Sequence, residues 1–455
     1  MSEQLRLSIE LDAPKTTEGP KAFLDPAFAS NKSSPIHRWV PWIAGFSGAF
    51  VGDILERYLN EPGCVIDSFS GVGTTLVEGV LRGHNGFGFE INPYAALASR
   101  VKTQVLSIDA SRFRTLIERF REYYLVNSAS PNYTPKSTPP GGFVSRHPFY
   151  SPHVLRKVLI IQDFLASIAP WQREHDLFRL AFASTMVTYS NYSYEPSLGT
   201  RKAAGKSDID NYPVGEHITT KLGEMLVDIE WAQGMRQEQQ PTVRIIADSF
   251  FNCKHTTPEG IGDILITSPP YLNNYHYNRN TRPHLYWLGL VSSPDDMKKI
   301  EHENFGKYWQ TVRDGPRVDI AFRIPGSDME DRIQQIRDLN NERGVYGGNG
   351  WANYAAAYLN DCQRFARSVR HILKPGGRAF IVIGNSIIQG VELPTDQYLA
   401  QIAELEGLET VQIDIPRAER VGNSIIRSDV RVGKAKRSHT LYEAIIELHR
   451  PALAS

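Results

Sequence analysis

Residues Cys64 to Val101 read CVIDSFSGVGTTLVEGVLRGHNGFGFEINPYAALASRV. An apolar strand from Cys64 to Phe69 breaks at a glycine turn and gives way to a helix from Thr75 to Arg82. A second strand covers Phe87 to Ile91, and another helix starts at Pro93. This is a βαβ unit, which predicts parallel strands joined by a right-handed crossover. Outward from it, the same rhythm returns at Val243–Phe250 and Asp263–Tyr271. A long helix then runs into KPGGRAFIVIGNS, where Lys374 to Gly377 reads as a turn. Two further strands are predicted at Thr410–Ile415 and Tyr442–Leu448. One α/β domain with two large insertions is the expected plan.

The first insertion, 101–239, is mainly helical, with helical spacing at Arg112–Tyr124, Ser151–Ile168, Glu174–Tyr189 and His217–Gln233. The second, 292–350, is dense in Asp, Arg, Asn and Gly and reads as loop-rich. Residues 1–33 read as a polar arm or a strap laid over the body. With 41% hydrophobic and 22% charged residues in 455, fibrous and wholly disordered classes are excluded. No window approaches the ~18 apolar residues of a membrane span, and the N-terminus lacks a secretory pattern. The three cysteines (Cys64, Cys253, Cys362) lie far apart, without disulfide or zinc spacing, and no histidine pairing indicates a metal. A reduced, cytoplasmic protein is expected. Fifty basic and fifty acidic residues cancel, which excludes a uniformly basic nucleic-acid coat. A nucleic-acid enzyme would need a local basic face.

Asp67-Ser68-Phe69-Ser70-Gly71-Val72-Gly73-Thr74-Thr75 closes a strand and opens a helix. Glycines there let the chain turn tightly and let a ligand approach the main chain. Glu90 ends the next strand, where a carboxylate accepts hydrogen bonds from two ribose hydroxyls. A plain βα turn with a surface glutamate is the competing reading. Leu76 stands where a third glycine would make room for a pyrophosphate, and no G-x-x-x-x-G-K-[ST] run occurs. A cofactor with a ribose and no phosphate fits better. S-adenosylmethionine (SAM) is that molecule.

Ser268-Pro269-Pro270-Tyr271 follows an apolar strand, at the end where open α/β sheets place their ligands. Two prolines fix φ and remove two amide donors, leaving carbonyls and the Ser268 hydroxyl as acceptors. Such a rim receives both hydrogens of a planar NH₂ group while Tyr271 stacks on its ring. A proline-rich bend with a buried tyrosine is the competing reading. In this order, DSFSGVGTT and TSPPY resemble the cofactor and catalytic motifs of the amino-group DNA methyltransferases.

The resemblance covers residues 34–100 and 240–450. It implies a Rossmann-like class I methyltransferase sheet, mostly parallel with one antiparallel strand, in a catalytic domain of 34–100 and 240–455. The helical insertion becomes the candidate DNA-recognition part. SAM would be held by Asp67, Phe69, Ser70, Gly71, Gly73 and Thr74 of the turn. Glu90, Ile91 and Asn92 would meet its ribose, Asp248 and Ser249 its adenine end, and Trp39, Phe46 and Ser47 its methionine end. Ser268, Pro269, Pro270 and Tyr271 would be catalytic. Serine in first place is the cytosine-N4 version, whereas adenine-N6 enzymes more often carry Asp or Asn. The cofactor motif comes first here, the reverse of the commonest N4 order. Adenine N6, an amino group in RNA, and a SAM- and nucleic-acid-binding module without catalysis therefore stay open.

An aromatic amine is a poor nucleophile because its lone pair is delocalised into the ring. Hydrogen bonds to Ser268 Oγ and the Pro269 carbonyl would localise that pair, with positioning as a main contributor. The base must leave the helix at a cost of a few kcal/mol, of which stacking on Tyr271 returns ~1–3 kcal/mol. Methylation at cytosine C5 needs a thiolate after a proline, and no cysteine here follows one. Double-stranded DNA is the expected partner, with a cognate restriction endonuclease or other defence-system protein beside it. The absence of an RRM or KH pattern favours DNA over RNA. Arg417 to Arg437, with Arg427, Arg431, Lys434, Lys436 and Arg437, is a candidate phosphate-binding loop. Tyr192, Tyr194, Arg201, Lys202 and Lys206 interleave aromatic and basic side chains. Tyr275, His276, Arg279 and Arg282 follow the catalytic motif and read as a loop around the extruded base.

Overall fold

Val65 and Ile66, neighbours in the first strand, bury their side chains on opposite faces of one sheet, as the period of two requires. The computed structural model describes residues 22–42, 45–194, 197–235, 240–272, 277–418 and 441–452. Its seven-stranded sheet comprises β1 (Cys64–Asp67), β2 (Asn85–Phe89), β3 (Val243–Ile246), β4 (Gly262–Thr267), β5 (Leu373–Gly384), β6 (Glu409–Ala418) and β7 (Tyr442–His449). The order across the sheet is β6-β7-β5-β4-β1-β2-β3. β5, β4, β1, β2 and β3 pair in parallel, while β7 runs antiparallel to β5 and β6. This is the class I methyltransferase arrangement with its single reversed strand.

Both faces are covered. Val65, Ile264 and Ile266 pack on Phe50 and Ile54 of α1 (Gly48–Tyr58). α2 (Thr74–Leu81) follows the glycine turn, and α3 (Pro93–Thr103) is capped by Asn92, whose Oδ1 accepts from the Tyr94 and Ala95 amides. α4 (Ala110–Ala129), α5 (Pro152–Ile168), α6 (Gln172–Thr185) and α7 (Val214–Gly234) build a helical cluster. Phe113, Phe120, Phe164 and Phe178 form its interior, which merges with Leu97 and Val101 of α3. α8 (Tyr277–Trp287) comes after the Ser268 motif. On the opposite face Ile66 and Leu265 meet Phe365 and Val369 of α9 (Gly348–Ile372).

Three expectations are corrected. Lys374–Gly377 is no separate turn: it bulges within β5, where register jumps from Gly262 opposite Leu373 to Ile264 opposite Arg378. Gly376, at φ +84°, makes the bulge possible and is tied by its amide to the Arg450 carbonyl, 2.7 Å away. The interval 292–350 holds helices at Pro294–His302 and Met329–Arg337, the first opened by a Ser293–Asp296 capping box. From Tyr277 onward, the supposed loop around the base is α8, which continues through Pro283.

Candidate active site

Strand order reverses between β1 and β4, and a cleft of about 720 Å³ opens at the carboxyl ends of the strands there. The glycine turn forms one wall. Gly73 sits at φ +85°, and a Cβ on it would fall 3.0 Å from the Ser99 Cα. Gly73→Ala is therefore expected to cost ~1–3 kcal/mol in backbone strain alone, more with the clash. Thermal unfolding checks this, and an unchanged midpoint would show that the turn is not held as described.

Glu90 latches the turn to the end of β2. Its Oε2 accepts from the Gly71 amide at 2.8 Å and its Oε1 from the Asn92 amide at 2.7 Å. Each oxygen keeps a second lone pair, so two hydroxyls can still be accepted. Burial pushes its carboxyl up to about 7, against the pull of those amides. Asp67 closes β1, is buried, and accepts from Thr267 Oγ1 at 2.8 Å; burial raises it to about 6. Beneath the turn Lys102, 0% exposed, donates from Nζ to the Val72 carbonyl at 2.9 Å, and burial lowers its ammonium to about 7.

Phe69, Gly71, Glu90, Ile91, Asn92, Asp248, Ser249, Ser268 and Pro270 line the cleft together. The fit to SAM rests on two of them. Gly71 leaves open the space in which a Cβ would approach Trp42 Nε1 to 3.4 Å, and Glu90 offers a partly buried acceptor pair. Ser70, Gly73 and Thr74 lie behind this wall: Ser70 Oγ and its amide both donate to the Phe89 carbonyl. Trp39 is 0% exposed and donates from Nε1 to Asp228 on α7 at 2.8 Å, so it anchors the N-terminal segment instead of facing the cleft. Ser47 precedes α1 and contacts Ser30 Oγ at 3.2 Å. Trp42, three residues beyond Trp39, takes the expected place over the turn.

Ser268 also borders a second pocket of about 560 Å³, lined with Phe46, Pro269, Tyr271, Tyr277, Val382 and Glu443. The Ser268 motif is thus the partition between two spaces. Tyr271 packs against Gly384, where a Cβ would come within 3.1 Å of its ring. Its hydroxyl reaches Glu443 Oε1 at 3.3 Å, and burial holds it well above its ordinary range. The Pro270 carbonyl already accepts from Tyr358 Oη at 2.9 Å, which pins the proline pair. Among the residues lining the pocket, Ser268, Pro269 and Glu443 bring acceptor atoms: a hydroxyl, a carbonyl and a carboxylate.

The nucleic-acid candidates scatter. Tyr192, Tyr194 and Arg201 line a third cavity, beside a ribbon of Tyr192–Tyr194 and Leu198–Thr200. Lys202 pairs with Asp208 at 3.0 Å. Arg282 donates to the Val144 carbonyl and lies over the Phe143 and Tyr286 rings, so it clamps a loop. Arg279 is exposed on α8. Tyr275, His276, Arg427, Arg431, Lys434, Lys436 and Arg437 lie outside the described residues, as does residue 21 and all before it. Sequence reasoning missed Trp42, Glu303, Asn304, Phe305 and Glu443. Phe305 meets Phe69 edge-on at 5.4 Å across more than 230 residues of chain, a pairing no local spacing announces.

No family model matches the chain. It is 22% identical over 437 residues to the Type II methyltransferase M.BsoBI of Geobacillus stearothermophilus, covering 88% of this chain and 83% of that one. It is 24% identical over 420 residues to the Type II methyltransferase M.AvaI of Nostoc sp., covering 85% and 82%. The Type II methyltransferase M.MvaI of Kocuria varians aligns at 22% over 364 residues, covering 77% and 76%. A match across 88% of the chain is too long to omit residues 101–239, so the likeness extends into the helical cluster. Together with the sheet, these relatives make the chain a methyltransferase by class, with SAM as its methyl donor.

Proposed function

We propose that this chain is a site-specific DNA methyltransferase that methylates an exocyclic amino group of a base rotated out of the duplex, with cytosine N4 as the target. One observation carries the reading: Ser268 borders both the cofactor cleft and a separate, acceptor-lined pocket. When bound, SAM supplies an electrophilic methyl group on a sulfonium. The protein's part is to present the amine. Ser268 Oγ and the Pro269 carbonyl accept its two hydrogens and localise the nitrogen lone pair, and the Tyr271 ring supports the base. Glu443, held beside the Tyr271 hydroxyl, is the acceptor for the proton that the nitrogen sheds after transfer. Glu90, Asp248 and the Gly71 main chain would hold the cofactor, with Phe305 closing over Phe69. A duplex is the partner such a pocket serves. A nuclease sharing its recognition sequence is the protein partner that the Type II names of the relatives point to.

Sequencing host DNA with base-modification detection after expressing the chain tests the reading, with nucleosides resolved by mass spectrometry. N4-methylcytosine at one short motif is expected. N6-methyladenine would keep the enzyme and move the target, and unmodified DNA from a SAM-binding chain would overturn the proposal.

A further inference from the structure

The third cavity differs in chemistry from the other two. It is a space of about 1420 Å³, open to solvent, between α6, α8, α3 and the strands Tyr192–Tyr194 and Leu198–Thr200, and among the described residues its lining holds no carboxylate. The cofactor cleft carries Glu90, Asp248 and Glu303, and the acceptor pocket carries Glu443. Carboxylates suit ligands that bring hydroxyl and amine donors and repel phosphates. Here the charged groups are Lys32 and Arg201. Neither has a carboxylate within ion-pair distance among the described residues, whereas neighbouring Lys202 is neutralised by Asp208. The Arg201 guanidinium is oriented by its Nε bond to the Ser207 carbonyl, 2.7 Å.

The walls are flat and aromatic. Tyr94 and His284 stack with centroids 4.5 Å apart and planes 22° apart, and Trp42 lies 6.5 Å from Tyr94. Tyr192, Tyr194 and Tyr277 complete the lining. His284 is neutral, since burial lowers it to about 4, so it adds a polar ring and no charge. Ser193 Oγ is buried there with no hydrogen-bond partner among the described residues. An unpaired buried hydroxyl is costly in a finished core and useful at a ligand site. Trp42 and Tyr277 also line the cofactor cleft, and Tyr277 lines the acceptor pocket too, so the three spaces adjoin one side chain.

We propose that this cavity receives a second nucleotide of the DNA, one extruded beside the methylated base, with its ring among the tyrosines and its phosphate on Arg201 and Lys32. This rests on the DNA reading above and adds a site to it. Thr188, exposed on the cavity rim, offers a plug that leaves the core untouched. Thr188→Trp is expected to weaken binding of the methylatable duplex at least about tenfold, the loss of one stacked base. Calorimetric SAM affinity should stay within about threefold, well short of a tenfold change. Duplexes carrying 5-iodouracil at successive positions around the target should crosslink on irradiation from one non-target position to Tyr192, Tyr194 or Trp42. Arg201→Gln, which leaves the aromatic walls intact, should weaken the duplex and flatten its salt dependence. Crosslinks confined to the target position, with Thr188→Trp and Arg201→Gln binding DNA like the parent, would overturn the second site while methylation of DNA continued. If the parent neither bound nor methylated DNA, the function itself would fall and this site with it.

Discussion

Tyr271→Ala lowers single-turnover methyl transfer at least about tenfold, the low end of the ~1–3 kcal/mol that a base gains by stacking. SAM affinity in the same variant stays within about threefold, below the ~1.4 kcal/mol of a tenfold change. The split follows from the partition: Tyr271 lines the acceptor pocket and not the cofactor cleft. Two controls separate its functions. Tyr271→Phe keeps the ring against Gly384 and loses the hydroxyl's links to Glu443 and Ser268, so it should retain most of the rate. Ser268→Ala removes one neutral hydrogen bond, ~0.5–1.5 kcal/mol, and should be the milder loss unless that bond tightens in the transition state. Tritiated SAM read in single turnover, beside calorimetry, measures both halves. Parental rates in Tyr271→Ala and Ser268→Ala would reduce the motif to a structural bend.

Glu90→Ala raises the SAM dissociation constant at least tenfold, ~1.4 kcal/mol or more. The loss is double: two acceptors for the ribose disappear, and the Gly71 and Asn92 amides lose their shared carboxylate. The pH dependence identifies the group. With its carboxyl at about 7, Glu90 is protonated below neutrality and a full double acceptor above it. Affinity for SAM should therefore climb as pH rises through about 7 and level off beyond it. Lys102 at about 7 and Asp67 at about 6 titrate in the same window, so Glu90→Gln is the needed comparison. Its profile should be the flatter. Calorimetry from pH 5.5 to 8.5, about three units spanning the transition, decides it, and equal slopes would assign the titration to another residue.

Local signals carried the frame of the molecule. The βαβ stretch announced β1, α2 and β2 because period and turn residues sit within forty residues, and Glu90 fell where such a unit puts its acidic end. The Ser268 motif stands out because two prolines follow an apolar strand, and the structure places it at the end of β4 between two spaces. What escaped was held by contacts across the chain. Glu443 begins a strand whose own pattern is apolar, and only pairing of β7 with β5 brings it to Tyr271. Trp42 and Trp39 share a segment and a residue type. The bond from Trp39 to Asp228, 189 residues on, decides which of them is buried away from the site. α8 was hidden by Pro283, which reads as a breaker although the helix absorbs it.

Asn92 joins events that a sheet would otherwise keep apart. Its Oδ1 caps α3, while its Nδ2 donates to Asn278 Oδ1 at 3.2 Å and to Thr281 Oγ1 at 2.7 Å on α8. One amide thus spans the strand end that carries Glu90 and the helix that carries Tyr277. Where occupancy of one side biases the other, the linkage is reciprocal: the factor by which cofactor tightens DNA equals the factor by which DNA tightens cofactor. A factor above one is the expected result, and it would order turnover, since loss of either product would relax the grip on its companion. Dissociation constants for each ligand, measured with and without the other, give that factor directly. A value of one would mean that the amide is only a cap.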